Sequence, residues 1–192
     1  GSTRIVFGKD ITNSYSSPSV AENNPTTILV KVSHVAARLD FSQFDVTLKG
    51  FEGNPTVVFD EAKFVNLQQN GKIVEGDASV NVKDGAFLNR SNRIGTRWTD
   101  MGTAYGYANQ YKQDSEMNTA LYVKFTVDGR TFEKTYPINP AGITKEVDHN
   151  GIKGGYLYDI KVRWTITPDW GDSTIEFYTR DWVHNSIPEI VL

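Results

Sequence analysis

The sequence predicts an all-β protein, an antiparallel β-sandwich that carries a long aromatic-rich insertion. Three observations predict it. Tyr156, Tyr158, Ile160, Val162, Trp164 and Ile166 alternate with Leu157, Asp159, Lys161, Arg163, Thr165 and Thr167, a period of two held over twelve residues. Leu121–Val127 and Arg130–Tyr136 flank Asp128-Gly129, a favoured two-residue hairpin turn. About eight to ten strand-like runs are separated by turn signals, and no helical pattern is long enough for a β-α-β crossover.

The chain has 192 residues, no cysteine, a net charge of −3 and 12% aromatic residues. That length buries a core without disulfide or metal staples. The missing cysteines exclude a disulfide framework and thiolate metal sites. Charges of both signs are interspersed, so no basic stripe points to nucleic acid. No run approaches eighteen apolar residues, so no membrane-spanning helix is expected. Gly1-Ser2 reads as an expression remnant, with natural sequence expected upstream.

Taken in order, Arg4–Phe7 reads as a short strand, and Gly8–Asn24 as a polar linker. Residues 1–25 are therefore separated from a domain over residues 26–192. Thr26–Val32 restarts as a strand. Ser33–Phe41 continues it or forms the next, with a bulge expected near Ser42-Gln43 before Phe44, Val46 and Leu48. A short helix over Val35–Asp40 is the alternative, because it contains two alanines. The flanking alternation favours strand. Gly50–Pro55 is a loop. Thr56–Leu67 reads as a strand pair, and Asn70-Gly71 as a hairpin turn between Val65–Leu67 and Ile73-Val74. Ser79–Val82 is a further strand candidate.

Periodicity then disappears from Asp84 to Asn118, a stretch that carries Trp98, Tyr105, Tyr107 and Tyr111. Structureless stretches of this length are often functional or conceal elements. After the Asp128-Gly129 hairpin, Pro137–Gly155 reads as a loop with one helical turn around Thr144–Asp148. The final strands close on Pro168–Asp172, a turn. Beyond Trp182 the tail Ser186–Leu192 is apolar, β-prone and terminal.

No local motif supplies catalysis or a cofactor. His34, His149 and His184 stand in no HExxH pattern, and no nucleophile elbow, P-loop, GxGxxG or EF-hand sequence occurs. The expected cofactor set is none, the expected metal set is none, and the chain reads as non-enzymatic. A glycoside-active sandwich enzyme ranks last, because no motif places a carboxylate pair.

Two features remain as candidate interaction sites. Trp98, Tyr105, Tyr107 and Tyr111 form a candidate contact set for a glycan or a protein, since Tyr and Trp give large, stiff contact area with a polar tip. The competing reading is an aromatic cluster that pins the insertion to the sandwich. The tail, as Ile187, Pro188, Glu189, Ile190, Val191 and Leu192, is either the last strand of its own sheet or a strand donated to a neighbour by β-augmentation. Fully extended, the seven residues Ser186–Leu192 reach about 23 Å. Pro188 lacks an N–H and belongs at a strand start or exposed edge.

Three stretches together resemble the fimbrillin family of Bacteroidales, the subunits of type V pili. Val32–Phe41 (VSHVAARLDF) is similar to the Ala-Arg strand that opens the family's C-terminal domain. Gly155–Ile166 (GYLYDIKVRWTI) resembles its Tyr-Asp-Ile strand. The ending, with Trp182 and a short apolar tail, is similar to the family's close. Arg4–Phe7 with its polar linker looks like the end of an N-terminal domain. The chain departs from the family in having Lys153-Gly154-Gly155 where Arg-Asn is usual, and in lacking the lipidated export cysteine and the Arg-cleaved N-terminal strand. The resemblance implies a transthyretin-like C-terminal sandwich, export to the cell surface, and an outer-membrane-attached fimbrium with a role in adhesion. It implies polymerisation through Ile187–Leu192 as donor strand, with Trp182 anchoring the tail. The implied partners are other pilus subunits, and a host or bacterial surface protein or glycan. The acceptor groove would lie with the missing N-terminal domain. The other reading is a carbohydrate-binding surface module that uses the aromatic insertion.

Overall fold

The computed structural model describes residues 6–10, 30–71, 81–85, 87–89, 93–110, 116–138, 151–169 and 172–181. Among these described residues thirteen strands follow in chain order: β1 (Val6–Asp10), β2 (Val30–His34), β3 (Ala36–Leu48), β4 (Val57–Val65), β5 (Leu67–Gln68), β6 (Val82–Lys83), β7 (Phe87–Asn89), β8 (Arg93–Ile94), β9 (Arg97–Tyr107), β10 (Ala120–Val127), β11 (Arg130–Pro137), β12 (Tyr156–Ile166) and β13 (Asp172–Asp181). Among the described residues there is no helix. One sheet runs β13-β12-β3-β9. The facing sheet runs β11-β10-β4-β7, with β8 also on β4. Two small sheets, β1-β2 and β5-β6, complete the set.

The alternation read from β12 is the alternation observed. Tyr158, Ile160, Val162, Trp164 and Ile166 are buried, while Arg163 is exposed. In β3 the inward set changes parity, from Ala37, Leu39 and Phe41 to Phe44 and Val46. Both neighbours of β3 skip Ser42 in register, so Ser42 is the bulged residue. Its hydroxyl donates to the Ile160 carbonyl at 3.3 Å. The helical alternative over Val35–Asp40 does not form.

β4 carries a second bulge, at Asp60, where the β10 register shifts between Lys124 and Phe125. That shift explains why Thr56–Leu67 reads as two strands. Through Val65 it is one, with Val57, Phe59, Ala62 and Phe64 inward. The hairpin β10-β11 forms as expected, with Asp128 at φ 45° and Gly129 at φ 81°, the left-handed pair its turn requires. Its tip is tied to the start of β4. Thr56 N–H donates to Asp128 Oδ1 at 2.7 Å, and Asp128 N–H donates to the Thr56 carbonyl at 2.9 Å.

Several elements differ from the expectation. β3 and β12 pair in parallel, with Leu157 opposite Arg38 through Ile166 opposite Leu48. A parallel pair needs a long crossover. Here the described part of the crossover runs through strands of both sheets, β4 to β11, and contains no helix. The stretch 84–118, where periodicity disappears, conceals strands: it supplies β7, β8 and the eleven-residue β9, one of the four strands of the first sheet. The described partner of β5 is Val82-Lys83. Ile73 and Val74, expected to pair there, lie outside the described residues, as does the helical turn expected around Thr144–Asp148. Gly8–Asp10, read as linker, is strand, and β1 pairs antiparallel with β2.

The core is an aromatic stack between the two sheets. Phe44, at its centre, lies 5.4 Å from Phe59, 5.3 Å from Phe125 and 5.4 Å from Trp98, ring centre to ring centre. Phe125 continues to Trp164 at 5.0 Å and Phe132 at 5.2 Å. Phe44, Trp98 and Trp164 come from one sheet, and Phe59, Phe125 and Phe132 from the other. The stack therefore locks the layers face to face.

Candidate functional site

The tail leaves a firmly held hairpin. β13 pairs with β12 from Asp172 opposite Thr165 to Asp181 opposite Tyr156. Just before β12, Gly155 N–H donates to the Ala36 carbonyl at 2.9 Å, which joins the hairpin base to β3. Tyr158 is buried beneath this end, and its hydroxyl accepts the Lys153 N–H at 2.8 Å. Burial pushes that hydroxyl well above the ordinary phenol range, against the opposing pull of the Lys153 bond. The Lys153 ammonium sits 5.4 Å from the Tyr156 ring centre. Ten consecutive cross-strand positions thus fix the chain up to Asp181. The sequence-predicted donor residues Ile187, Pro188, Glu189, Ile190, Val191 and Leu192, and the anchor Trp182, lie outside the described residues.

The facing sheet ends at β11, which pairs with β10 on one side and with no other described strand. Its exposed side chains include Arg130, Glu133 and Lys134. Charges along an edge strand discourage indiscriminate pairing. Beside it on β10, Tyr122 donates its hydroxyl to Glu133 Oε2 at 2.8 Å. Burial, followed by that carboxylate, pushes the Tyr122 hydroxyl up to about 12.

Among the described aromatic candidates, Trp98 stands apart from Tyr105 and Tyr107, which share the outer side of β9 two positions apart. Trp98 is 5% exposed and belongs to the core, 5.7 Å from Phe59 as well as close to Phe44. Tyr105 is 49% exposed and stands opposite Arg38 on the outer side of the same sheet. Tyr107 lies with its ring against Gly71. Tyr111 lies outside the described residues. Trp98 and Tyr105 are an odd number of positions apart and face opposite sides of β9. The irregular pairing between Thr99 and Gly102, with Asp100 at φ 53°, intervenes.

The outer face of the β12-β3-β9 sheet is polar. Asp40 Oδ1 accepts from Arg38 Nε and from Thr103 Oγ1, each at 2.8 Å. Asp45 lies 3.6 Å from Arg97 and 3.8 Å from Arg163, and Arg163 lies 3.4 Å from Glu176. Such solvated pairs add little stability. Among the described residues no cluster of His, Cys, Asp and Glu could hold a metal ion, and no helix is long and apolar enough to cross a membrane.

Sequence reasoning missed a buried polar knot. Asn109 Nδ2 donates to the Asn66 carbonyl (3.1 Å), the Met117 carbonyl (2.9 Å) and Thr119 Oγ1 (3.0 Å). Thr119 Oγ1 donates in turn to the Asn66 carbonyl at 2.8 Å. Asn109 also exchanges two 2.8 Å backbone bonds with Ile152. The knot ties the chain after β4, after β9 and before β10 to the approach of β12. Its members are 8 to 53 residues apart in sequence, so no local pattern announces it.

No protein-family model matches the chain, and no curated protein sequence is significantly similar to it. Several solved structures align with the chain. A candidate cell adhesion protein from Parabacteroides distasonis aligns with a TM-score of 0.62 at 20% identity, over 79% of this chain and 53% of that one. A second candidate cell adhesion protein from the same species aligns at 0.47 and 13% identity, over 92% and 66% of the two chains. The tip fimbrial protein Mfa3 from Porphyromonas gingivalis, with C-terminal truncation, aligns at 0.43 and 13% identity, over 79% and 52%. The chain spans about half the length of the first of these structures. With that first structure it shares its fold.

Proposed function

We propose that the chain is part of a structural subunit of a cell-surface pilus, and that it polymerises by donating its C-terminal tail to a neighbouring subunit. The fold shared with the Parabacteroides distasonis cell adhesion candidate is the observation that carries this reading. The fimbrillin-like strands Val32–Phe41 and Gly155–Ile166 support it; they fall on β2-β3 and β12, which carry the first sheet. The rigid β12-β13 hairpin supplies a fixed launching point for Trp182 and the tail beyond it. In this reading Ile187, Glu189 and Val191, or the alternate set Pro188, Ile190 and Leu192, enter pockets of the acceptor. Backbone hydrogen bonds supply the pairing. Export, attachment of the fimbrium to the outer membrane and adhesion belong to the same proposal.

The test is to delete Ser186–Leu192 from the full-length protein and to follow polymer length by electron microscopy and denaturant-resistant ladders on gels. Loss of polymer with an unchanged far-UV spectrum is expected. Polymers as long as those of the parent protein would overturn the reading.

A further inference from the structure

The sequence contains two Asn-Gly dipeptides, Asn70-Gly71 and Asn150-Gly151. This pairing is chemically labile. A glycine nitrogen carries no flanking side chain to hinder its approach to the preceding asparagine amide, and its backbone rotates freely. The structure treats the two glycines differently.

Gly71 is exposed and outside any strand, and Asn70 before it is half-buried. Gln69 N–H donates to the Asn81 carbonyl at 2.8 Å, and Asn81 N–H donates to Gln68 Oε1 at 2.9 Å. The Asn81 side-chain amide donates to Asn70 Oδ1 at 3.4 Å. That oxygen gathers negative charge when a nucleophile adds to Cγ, so a donor placed on it stabilises the addition. A Cβ at position 71 would overlap the Tyr107 ring, so any other residue there requires that ring to move. The packing that keeps glycine at this position also keeps the dipeptide labile.

Gly151 is buried at φ 63°, and a Cβ there would overlap the Asn109 carbonyl. The next residue, Ile152, is fixed by its two bonds to Asn109. Burial of Gly151 and the fixed Ile152 after it restrict both the access of base and the rotation the attack needs.

We propose that Asn70 is a self-modification site that converts to aspartate and isoaspartate in the folded protein, while the burial of Gly151 slows the same reaction at Asn150. In the reaction a solvent base takes the Gly71 amide proton, and the nitrogen attacks Asn70 Cγ. The Cγ–Nδ2 bond breaks, and ammonia leaves carrying a proton returned from solvent. Water then opens the cyclic imide at either carbonyl. No electrons are exchanged. The product carries one more negative charge. In the isoaspartyl form it also carries an extra methylene in the main chain where Gly71 meets Tyr107, at the corner between β5 and β9.

The test incubates the purified chain at mildly alkaline pH and maps peptides by mass spectrometry, with isoaspartyl methyltransferase labelling as a second readout. The Asn70 peptide is expected to convert about tenfold faster than the Asn150 peptide, since Asn150 must wait for local opening around Gly151. In denaturant the two rates should converge, and Asn70→Gln should abolish the first signal in the native protein. Equal rates in the native protein, or an Asn70 peptide that stays unmodified, would overturn the proposal.

Discussion

Trp98→Ala is expected to destabilise the protein by about 3–5 kcal/mol, the range for truncating a large buried aromatic. The indole touches Phe44 and Phe59, one from each sheet, at 5.4 and 5.7 Å. Its loss opens a cavity at the centre of the stack, which close-packed neighbours refill only in part. Urea denaturation should show the midpoint falling by about 1–2 M. Tyr105→Ala on the same strand should shift stability by less than about 0.5 kcal/mol, because that ring is half in solvent. The pair of variants separates a core residue from a surface one. Trp98→Ala with stability within about 1 kcal/mol of the parent would return Trp98 to the surface and would contradict the packing described above.

Asn109→Ala is expected to cost about 2–3 kcal/mol. One side-chain amide serves Asn66, Met117 and Thr119, and each carbonyl that loses its donor in a buried site carries a desolvation penalty of about 1–3 kcal/mol. The three acceptors share two hydrogens, so the losses do not simply add. Asn109→Asp should be at least as damaging, since it turns a carboxylate toward oxygens that accept. For a chain of this size each kcal/mol lowers the melting temperature by about 2–4 °C, so calorimetry resolves both variants. A melting temperature unchanged in Asn109→Ala would mean that the knot closes through water instead of through this amide.

What the sequence displayed and what it hid follow from the same physics. β12 was legible because its period of two is unbroken and each inward position is large. The Ser42 bulge was legible because Phe41 and Phe44 mark the change of parity from both sides. β9 was not legible. Its parity shifts between Trp98 and Met101 and shifts back before Ala104, and its later inward positions, Ala104 and Gly106, carry no apolar bulk to reveal a pattern. For the same reason Trp98 and Tyr105 looked like members of one set. The parallel β3-β12 pairing was hidden because side-chain alternation reports which face is buried, not which strand lies alongside or in which direction. The Asn109 knot joins three loops through contacts that exist only once the sheets have met. The tail's apolar character was plain in sequence, but its partner is not encoded in its own residues.

The account turns on the tail acting between subunits. Amide hydrogen exchange over residues 182–192, compared between monomer and assembled polymer of the full-length protein, tests this most directly. β12 serves as the internal reference, because its amides sit in a paired central strand and should be slow in both states. The account predicts rapid exchange of the tail in the monomer and protection comparable to β12 in the polymer. A tail that exchanges equally fast in both states would contradict it, and subunit contact would then have to be sought elsewhere in the chain.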